Sequence, residues 1–188
     1  MHHRNAQDPD MYETDEDLAA MQAVMDASYA RGGEHLLAVH EPRWRVTAAD
    51  IADRMQGMCL LVLATSTSEG RPLTSPVDGF LVRGRFCFSS SPESVRFRHL
   101  RQRPAVSATH LPQEEFAVTV HGAAREIDFD DDEDEIASAL RQACLEQYGE
   151  AWLEWNEGAA FAAIEPERLL AFRLDEAALT EDERQMRT

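Results

Sequence analysis

Apolar residues recur at helical spacing in the first third of the chain and at strand spacing over most of the remainder. Over residues 15–29 they fall three or four positions apart, which predicts an amphipathic helix. A second helix is predicted at 47–57, with Thr47 as its N-cap and Asp50 three residues later. From residue 58 the chain changes to short apolar runs separated by turn residues, a pattern typical of β-strands.

Five strands are predicted in the middle of the chain. They lie at residues 58–64, 73–82, 86–90, 105–110 and 116–127. The first three are linked by turns so short that neighbouring strands must run antiparallel. Pro76 and Gly79 are expected to break the second strand, and Gly122 is expected to bend or bulge the fifth.

A helix is predicted between the third and fourth strands. Ser91 followed by Pro92 has the pattern of an N-cap and a first helical residue, and Pro104 should follow the end of the helix. Counted from that start, Phe97 and Leu100 form the apolar face.

Another helix and two closing strands complete the predicted fold. The helix extends to about residue 148, after an acidic segment at 128–135 that lacks the glycine bend of a calcium loop. Residues 161–164 and 169–174 are predicted as strands separated by Pro166. Many short antiparallel strands with few helices indicate a mainly β fold, a small barrel with added helices.

Composition narrows the possible partners. The 188 residues carry a net charge of -17, which argues against nucleic acid and anionic membranes as partners. No apolar run is long enough for a membrane helix, and the N-terminus has no signal-peptide core. Three cysteines without CxxC spacing fit a reduced, cytoplasmic protein. The seven histidines are scattered without metal-ligand spacing, so no metal site is predicted.

The segment 86–104 carries the clearest candidate chemistry. Serines precede and begin the helix, which has four arginines within eight residues, in a chain that contains no lysine. Small polar residues feeding a helix start, with a cation one turn in, suit a bound phosphate. Only Arg96 is near enough to the start to share that phosphate with Ser89, Ser90 and Ser94. The other arginines are expected to pair with the acidic surface, and Trp152, Trp155 and Phe161 to serve core or dimer packing.

An ordered set of residues resembles the pyridoxamine 5'-phosphate oxidase-like, FMN-binding split-barrel superfamily. The matching positions are Ser94, Arg96, Leu100, Pro104, Val106, Val120, Gly122 and Ala124. The resemblance covers about residues 50 to 175 and is strongest from 58 to 127. It implies a six-stranded antiparallel split β-barrel and a homodimer, with flavin mononucleotide (FMN) bound in a groove between the subunits.

The resemblance also implies which residues bind the cofactor. Ser75, Pro76 and Val77 fall where the second strand of the family passes the flavin ring and phosphate. The phosphate-binding positions fall on Ser89, Ser90, Ser94 and Arg96, where arginine replaces the common lysine and can grip a phosphate with two donors.

The second strand departs from the pattern of true pyridoxamine phosphate oxidases. Those enzymes place an arginine and a lysine on this strand, where the chain has Ser75 and Phe80. No terminal segment resembles their substrate-phosphate site either. The chain is therefore expected to belong to the superfamily without being a true pyridoxamine phosphate oxidase.

The resulting functional prediction is an FMN-dependent oxidoreductase with an undetermined small-molecule substrate and no assigned catalytic side chain. A reductase that uses a deazaflavin coenzyme is one alternative, and a non-catalytic flavin- or haem-binding protein is another. The predicted organisation is a flexible acidic N-terminus at 1–14, helices at 15–57, the barrel at 58–176 and a polar tail at 177–188.

Overall fold

The computed structural model describes residues 12–175 together with 179 and 181. The predicted flexible N-terminus and polar tail lie mostly outside these residues. The helices are Asp15–Ala30 (α1), Glu34–Val39 (α2), Ala48–Arg54 (α3), Val95–Gln102 (α4), Glu135–Tyr148 (α5) and Ala151–Trp155 (α6), with a 3-10 turn at Pro42–Trp44. The strands are Cys59–Ser66 (β1), Pro72–Val82 (β2), Arg85–Ser90 (β3), Ala105–Gln113 (β4), Phe116–Ile127 (β5) and Ala160–Arg173 (β6).

The six strands form one closed barrel. Their order around it is β1-β2-β3-β6-β5-β4, and every neighbouring pair is antiparallel. Alternate side chains point into the barrel and fill it, among them Leu61, Phe86, Val118, Ile164 and Leu169. The predicted fold class, a six-stranded antiparallel split barrel with added helices, is confirmed.

The N-terminal helices cover one side of the barrel. Met21 and Met25 of α1 are fully buried in the main core, and the Tyr29 hydroxyl donates to the Ala171 carbonyl of β6 at 2.6 Å. Thr47 and Asp50 form the predicted capping box at the start of α3. This helix ends at Arg54, earlier than the sequence pattern indicates.

A second apolar core lies outside the barrel. The helices α5 and α6 pack on the outer face of β2, β3 and β6 and enclose Phe80, Cys87, Leu140, Trp152 and Phe161. Because this side of the sheet is covered by helices, its outward-facing positions are apolar. The edge of this second core forms one wall of the candidate site.

The strand β2 is continuous, so the predicted break at Pro76 and Gly79 is wrong. The ladder between β2 and β3 ends where Gly79 pairs with Phe88, so Pro76 lies beyond it and no β3 carbonyl requires its missing N–H. Gly79 is needed for close packing, since a Cβ there would lie 2.4 Å from the Leu61 side chain.

The two predicted closing strands are a single strand, β6, which runs through Pro166. The pairing of β5 with β6 shifts by one residue between His121 and Gly122, so the ladder is irregular at the predicted position, but the extra residue is Glu167 of β6 and β5 itself has no bulge there. A Cβ at Gly122 would lie 1.9 Å from the Glu165 carbonyl oxygen, so the close approach of the two backbones requires glycine.

The helix α4 begins one turn later than predicted. Its N-cap is Ser94 and not Ser91, because the Ser94 N–H donates to the Ser91 carbonyl at 3.0 Å and closes a turn before the helix. Among the described residues no helix is long and apolar enough to cross a bilayer. The three cysteines are buried free thiols.

Candidate functional site

A groove lies where the ends of β2 and β3 meet α4, α5 and α6. It has a volume of about 530 Å³. Its polar end is formed by Ser89, Ser90, Ser91 and Arg96. We call this concavity the Arg96 groove.

Arg96 is held in place by neighbouring oxygen atoms. Its guanidinium donates to the hydroxyls of Ser90 at 3.1 Å and Ser75 at 2.8 Å, and to the Pro76 carbonyl at 3.3 Å. These contacts join α4 to β2 and β3 where the ladder between the two strands has ended. Partial burial lowers the pKa of Arg96 from its ordinary value, but an arginine remains cationic at neutral pH.

The position of Arg96 follows from the start of α4. Ser94 caps the helix by accepting the Phe97 N–H at 3.4 Å, which makes Arg96 the second helical residue. Phe97 and Leu100 are buried and hold the helix on the barrel. Arg96 therefore stands in the first turn, where the positive end of the helix dipole favours an anion.

Five of the seven predicted site residues line the Arg96 groove. They are Pro76, Val77, Ser89, Ser90 and Arg96. Ser75 reaches the site through its hydrogen bond to Arg96, whereas the Ser94 hydroxyl is engaged by the helix start. The structure thus brings the predicted residues together, and their role in binding a cofactor stays a prediction.

The other arginines of α4 have different surroundings. Arg101 makes two contacts with the Glu126 carboxylate, at 2.8 and 3.1 Å, as expected for a cation facing an acidic surface. Arg103 donates to the Ser66 carbonyl at 3.0 Å and to the Gln102 side chain, and its charge also acts on the nearby Glu69 carboxylate. Arg98 is exposed.

The far end of the groove is aromatic. The rings of Tyr148 and Trp152 stack with centroids 5.8 Å apart, and Phe161 and Trp155 complete this wall. Burial, with a smaller contribution from the nearby Asp78 carboxylate, raises the pKa of Tyr148 to about 12. Its hydroxyl is therefore protonated at neutral pH.

Core or dimer packing is the role that the sequence predicts for Trp152, Trp155 and Phe161. Trp152 and Phe161 do belong to the second core, but Trp155 is 83% exposed. A pattern of apolar spacing could not separate them, because only the fold shows which tryptophan faces the groove.

The two ends of the groove are separated along β2. Pro76 contacts Arg96, and Phe80 packs against Tyr148 with ring centroids 6.1 Å apart. Four residues of extended strand span about 13 Å. Asp78 lies between the two ends.

Three histidines of the barrel and α4 bond oxygen atoms on different elements. His121 bonds the Ser107 hydroxyl at 2.7 Å, His99 bonds Thr65 at 3.0 Å, and His110 contacts a β1 carbonyl. Within residues 12–175 no group of three or more metal-ligating side chains is assembled.

Comparison with known proteins places the chain in a family. The family model described as pyridoxamine 5'-phosphate oxidase matches residues 49–180. Because this match covers more than half of the chain, the protein belongs to that family. A search of curated protein sequences found no match.

Solved structures share the fold at low sequence identity. A conserved hypothetical protein from Mycobacterium tuberculosis superposes with a TM-score of 0.61 at 16% identity, covering 75% of this chain and 93% of that one. The haem storage protein HutZ from Vibrio cholerae superposes with a TM-score of 0.55 at 21% identity, covering 66% of this chain and 93% of that one. An FAD-binding protein from Mesorhizobium loti superposes with a TM-score of 0.52 at 18% identity, covering 70% of this chain and 96% of that one. Similarity at this level establishes the split-barrel fold alone.

Proposed function

We propose that the protein is an FMN-dependent oxidoreductase that holds the cofactor in the Arg96 groove. The observation that carries the proposal is the pairing of a fixed cation at one end with an aromatic wall at the other. A ligand with a phosphate, a polar chain and a planar ring matches this order of surfaces. The volume of about 530 Å³ is within the range of small-molecule sites.

The phosphate would lie at the polar end. Arg96 is oriented by three hydrogen bonds before any ligand arrives, so little side-chain freedom remains to be lost on binding. The hydroxyls of Ser89 and Ser90 supply further donors at this end. Asp78, between the ends, can accept hydrogen bonds from the hydroxyls of a ribityl chain.

The flavin ring would lie against the aromatic wall. When bound, FMN supplies the hydride or electron transfer, and the protein binds the cofactor, orients it and excludes water from one face. Trp152 and Phe161 provide a rigid apolar floor, while the Tyr148 hydroxyl is hydrogen-bonded to the Asp78 carboxylate and so holds the Tyr148 ring in place beside them. We assign no catalytic side chain.

A homodimer with the cofactor between its subunits is part of the proposal. Leu60 and Val62 of β1 and Leu111 of β4 are 50–60% exposed on one outer face of the barrel. An exposed apolar patch on a sheet favours burial against a second copy. Pro76 and Asp78 of the adjoining strand lie on this same face and also line the Arg96 groove, so a partner there would reach the cofactor. The three buried free thiols support a cytoplasmic location.

The groove favours a flavin over haem. Among the described residues that line it there is no histidine. Cys144 and Tyr148 are present, but burial raises the pKa of the Cys144 thiol to about 12 and that of the Tyr148 hydroxyl to about 12, which makes both poor iron ligands at neutral pH. A deazaflavin coenzyme presents a similar ring and phosphate, and binding measurements must distinguish it from FMN.

Equilibrium titration tests the proposed cofactor. Purified protein is titrated with FMN, riboflavin, the deazaflavin coenzyme and haem, and the affinities are compared. We expect FMN to bind at least tenfold more tightly than riboflavin, because only FMN carries the phosphate. Equal affinities for FMN and riboflavin would contradict a phosphate site at Arg96, and tightest binding of the deazaflavin or of haem would replace FMN as the cofactor.

Stopped-flow kinetics test the proposed activity. The bound flavin is reduced anaerobically and mixed with oxygen, quinones and other small acceptors. We expect at least one acceptor to reoxidise it faster than it reoxidises free reduced FMN. If none does, the protein is a flavin-binding protein without turnover.

A further inference from the structure

One tryptophan stands apart from the other two. Trp44 and Trp152 are 7% and 8% exposed, whereas Trp155 is 83% exposed and lines the Arg96 groove. A large aromatic side chain left in water forfeits the stabilisation that burial would supply, which makes an exposed indole beside a groove a candidate contact for a ligand.

The backbone that carries Trp155 is well anchored. Trp152, one turn earlier on α6, is buried in the second core and stacks on Tyr148. The Asn156 N–H donates to the Trp152 carbonyl at 2.9 Å and closes the helix directly after Trp155. The chain then enters β6, whose Phe161 lies in the same core. The indole is thus presented from a fixed wall.

We propose that Trp155 stacks on the planar ring of the ligand whose phosphate is held by Arg96. This inference rests on the proposed function and specifies which ligands the groove selects. The ligand must carry an aromatic ring system, so a sugar phosphate without a ring binds weakly. Nucleobases gain affinity by stacking on aromatic side chains of nucleic-acid-binding proteins because each base has a π-face, and a flavin ring presents such a face as well.

The charges along the groove further restrict which ring systems can bind. Asp78 and Glu157 line it together with Trp155. Carboxylates in a concave site disfavour a second anionic group. The favoured ligand therefore has one anionic end, at Arg96, and a ring that carries no negative charge at neutral pH.

Two variants of α6 test the stacking role. Trp155→Ala removes the indole from an exposed position and leaves the core unchanged, so the variant is expected to fold. Leu153→Ala is the matched control, because Leu153 is 41% exposed on the same helix but does not line the Arg96 groove. Trp155→Phe restores a smaller aromatic face.

Three ligands separate the contributions of ring and phosphate. FMN, riboflavin and ribitol 5-phosphate are titrated against the wild type and each variant. We expect Trp155→Ala to weaken FMN and riboflavin by the same factor, about tenfold, and to leave ribitol 5-phosphate unchanged. Trp155→Phe should recover part of the loss, and Leu153→Ala should bind like the wild type. Bound flavin should also fluoresce more strongly in Trp155→Ala, because a stacked indole quenches flavin emission.

The outcomes separate this inference from the proposed function. If the wild type binds FMN and Trp155→Ala binds it equally well with unchanged flavin emission, the stacking role is wrong and the proposed function stands. If the wild type binds no flavin, both are wrong. If light scattering shows that Trp155→Ala has lost a dimer that the wild type forms, Trp155 is a subunit contact and the stacking role is overturned.

Discussion

Replacing Arg96 by alanine tests the polar end of the groove most sharply. The change removes a guanidinium that donates to Ser90, Ser75 and the Pro76 carbonyl. A charge-assisted contact to a phosphate is worth about 1.5–3 kcal/mol, so FMN affinity should fall about ten- to a hundredfold. Ser75 and Ser90 are partly exposed and can bond water in the variant. The free energy of unfolding should therefore fall by no more than about 1–2 kcal/mol.

Arg98→Ala is the control for this experiment. Arg98 lies two residues further along the same helix and is exposed. Each variant lowers the net charge of a chain at -17 by one, so the two are matched in their general electrostatic effect. Isothermal titration with FMN and riboflavin at two salt concentrations measures the loss. Arg96→Ala should weaken FMN alone, whereas Arg98→Ala should change neither ligand.

Two results would refute this reasoning. Equal losses in Arg96→Ala and Arg98→Ala, both reduced by salt, would indicate a diffuse electrostatic effect and no defined phosphate site. An equal loss of FMN and riboflavin in Arg96→Ala would mean that Arg96 shapes the groove without contacting a phosphate.

Three further predictions concern stability and assembly. Gly122→Ala should destabilise the barrel by roughly 1–3 kcal/mol in urea unfolding, because its Cβ would lie 1.9 Å from the Glu165 carbonyl oxygen; unchanged stability would contradict the bulge geometry. Burial raises the pKa of Glu13 from 4.5 to about 7, so the folded state keeps a proton that the unfolded state releases between these pH values. The free energy of unfolding should fall by up to roughly 3 kcal/mol as pH rises through this window, and Glu13→Gln should abolish that slope; a persistent slope would assign it to another group. Light scattering should show a dimer of the 21.2 kDa chain, which Leu60→Glu should dissociate; a wild-type monomer would contradict the proposed interface.

Local sequence signals predicted the elements that depend on local interactions. The capping box of Thr47 and Asp50 requires neighbours three residues apart, and it begins α3 as expected. The irregular pairing at Gly122 was also predictable, since glycine inside a long apolar strand marks a close approach of backbones, but that the extra residue belongs to β6 was not.

Strand breaks were wrongly predicted at two prolines, because the pairing of strands in the folded barrel decides whether a proline is tolerated. Pro76 breaks no strand because β3 has already ended its pairing with β2 at that point. Pro166 lies beside the register shift at Gly122, where an irregular ladder tolerates a missing N–H. Ser91 and Ser94 are both acceptable N-caps by residue type, and the turn between them decided in favour of Ser94.

The candidate site was predictable at its polar end only. The family resemblance indicated Ser75, Ser90 and Arg96, which the fold brings into contact. The aromatic wall could not be found in this way, because Tyr148 and Trp155 reach the groove through the packing of α5 and α6 on the barrel. Spacing along the chain identifies the apolar face of α5, which carries Leu140 and Cys144, but it does not show which strands that face covers.

A crystal structure of the protein with bound FMN tests the central claim most directly. The account predicts that the phosphate lies within hydrogen-bonding distance of the Arg96 guanidinium and of a serine hydroxyl of β3, with the ring against Tyr148 and Trp155. A flavin bound elsewhere on the barrel, or bound in this groove with its phosphate away from Arg96, would contradict the account.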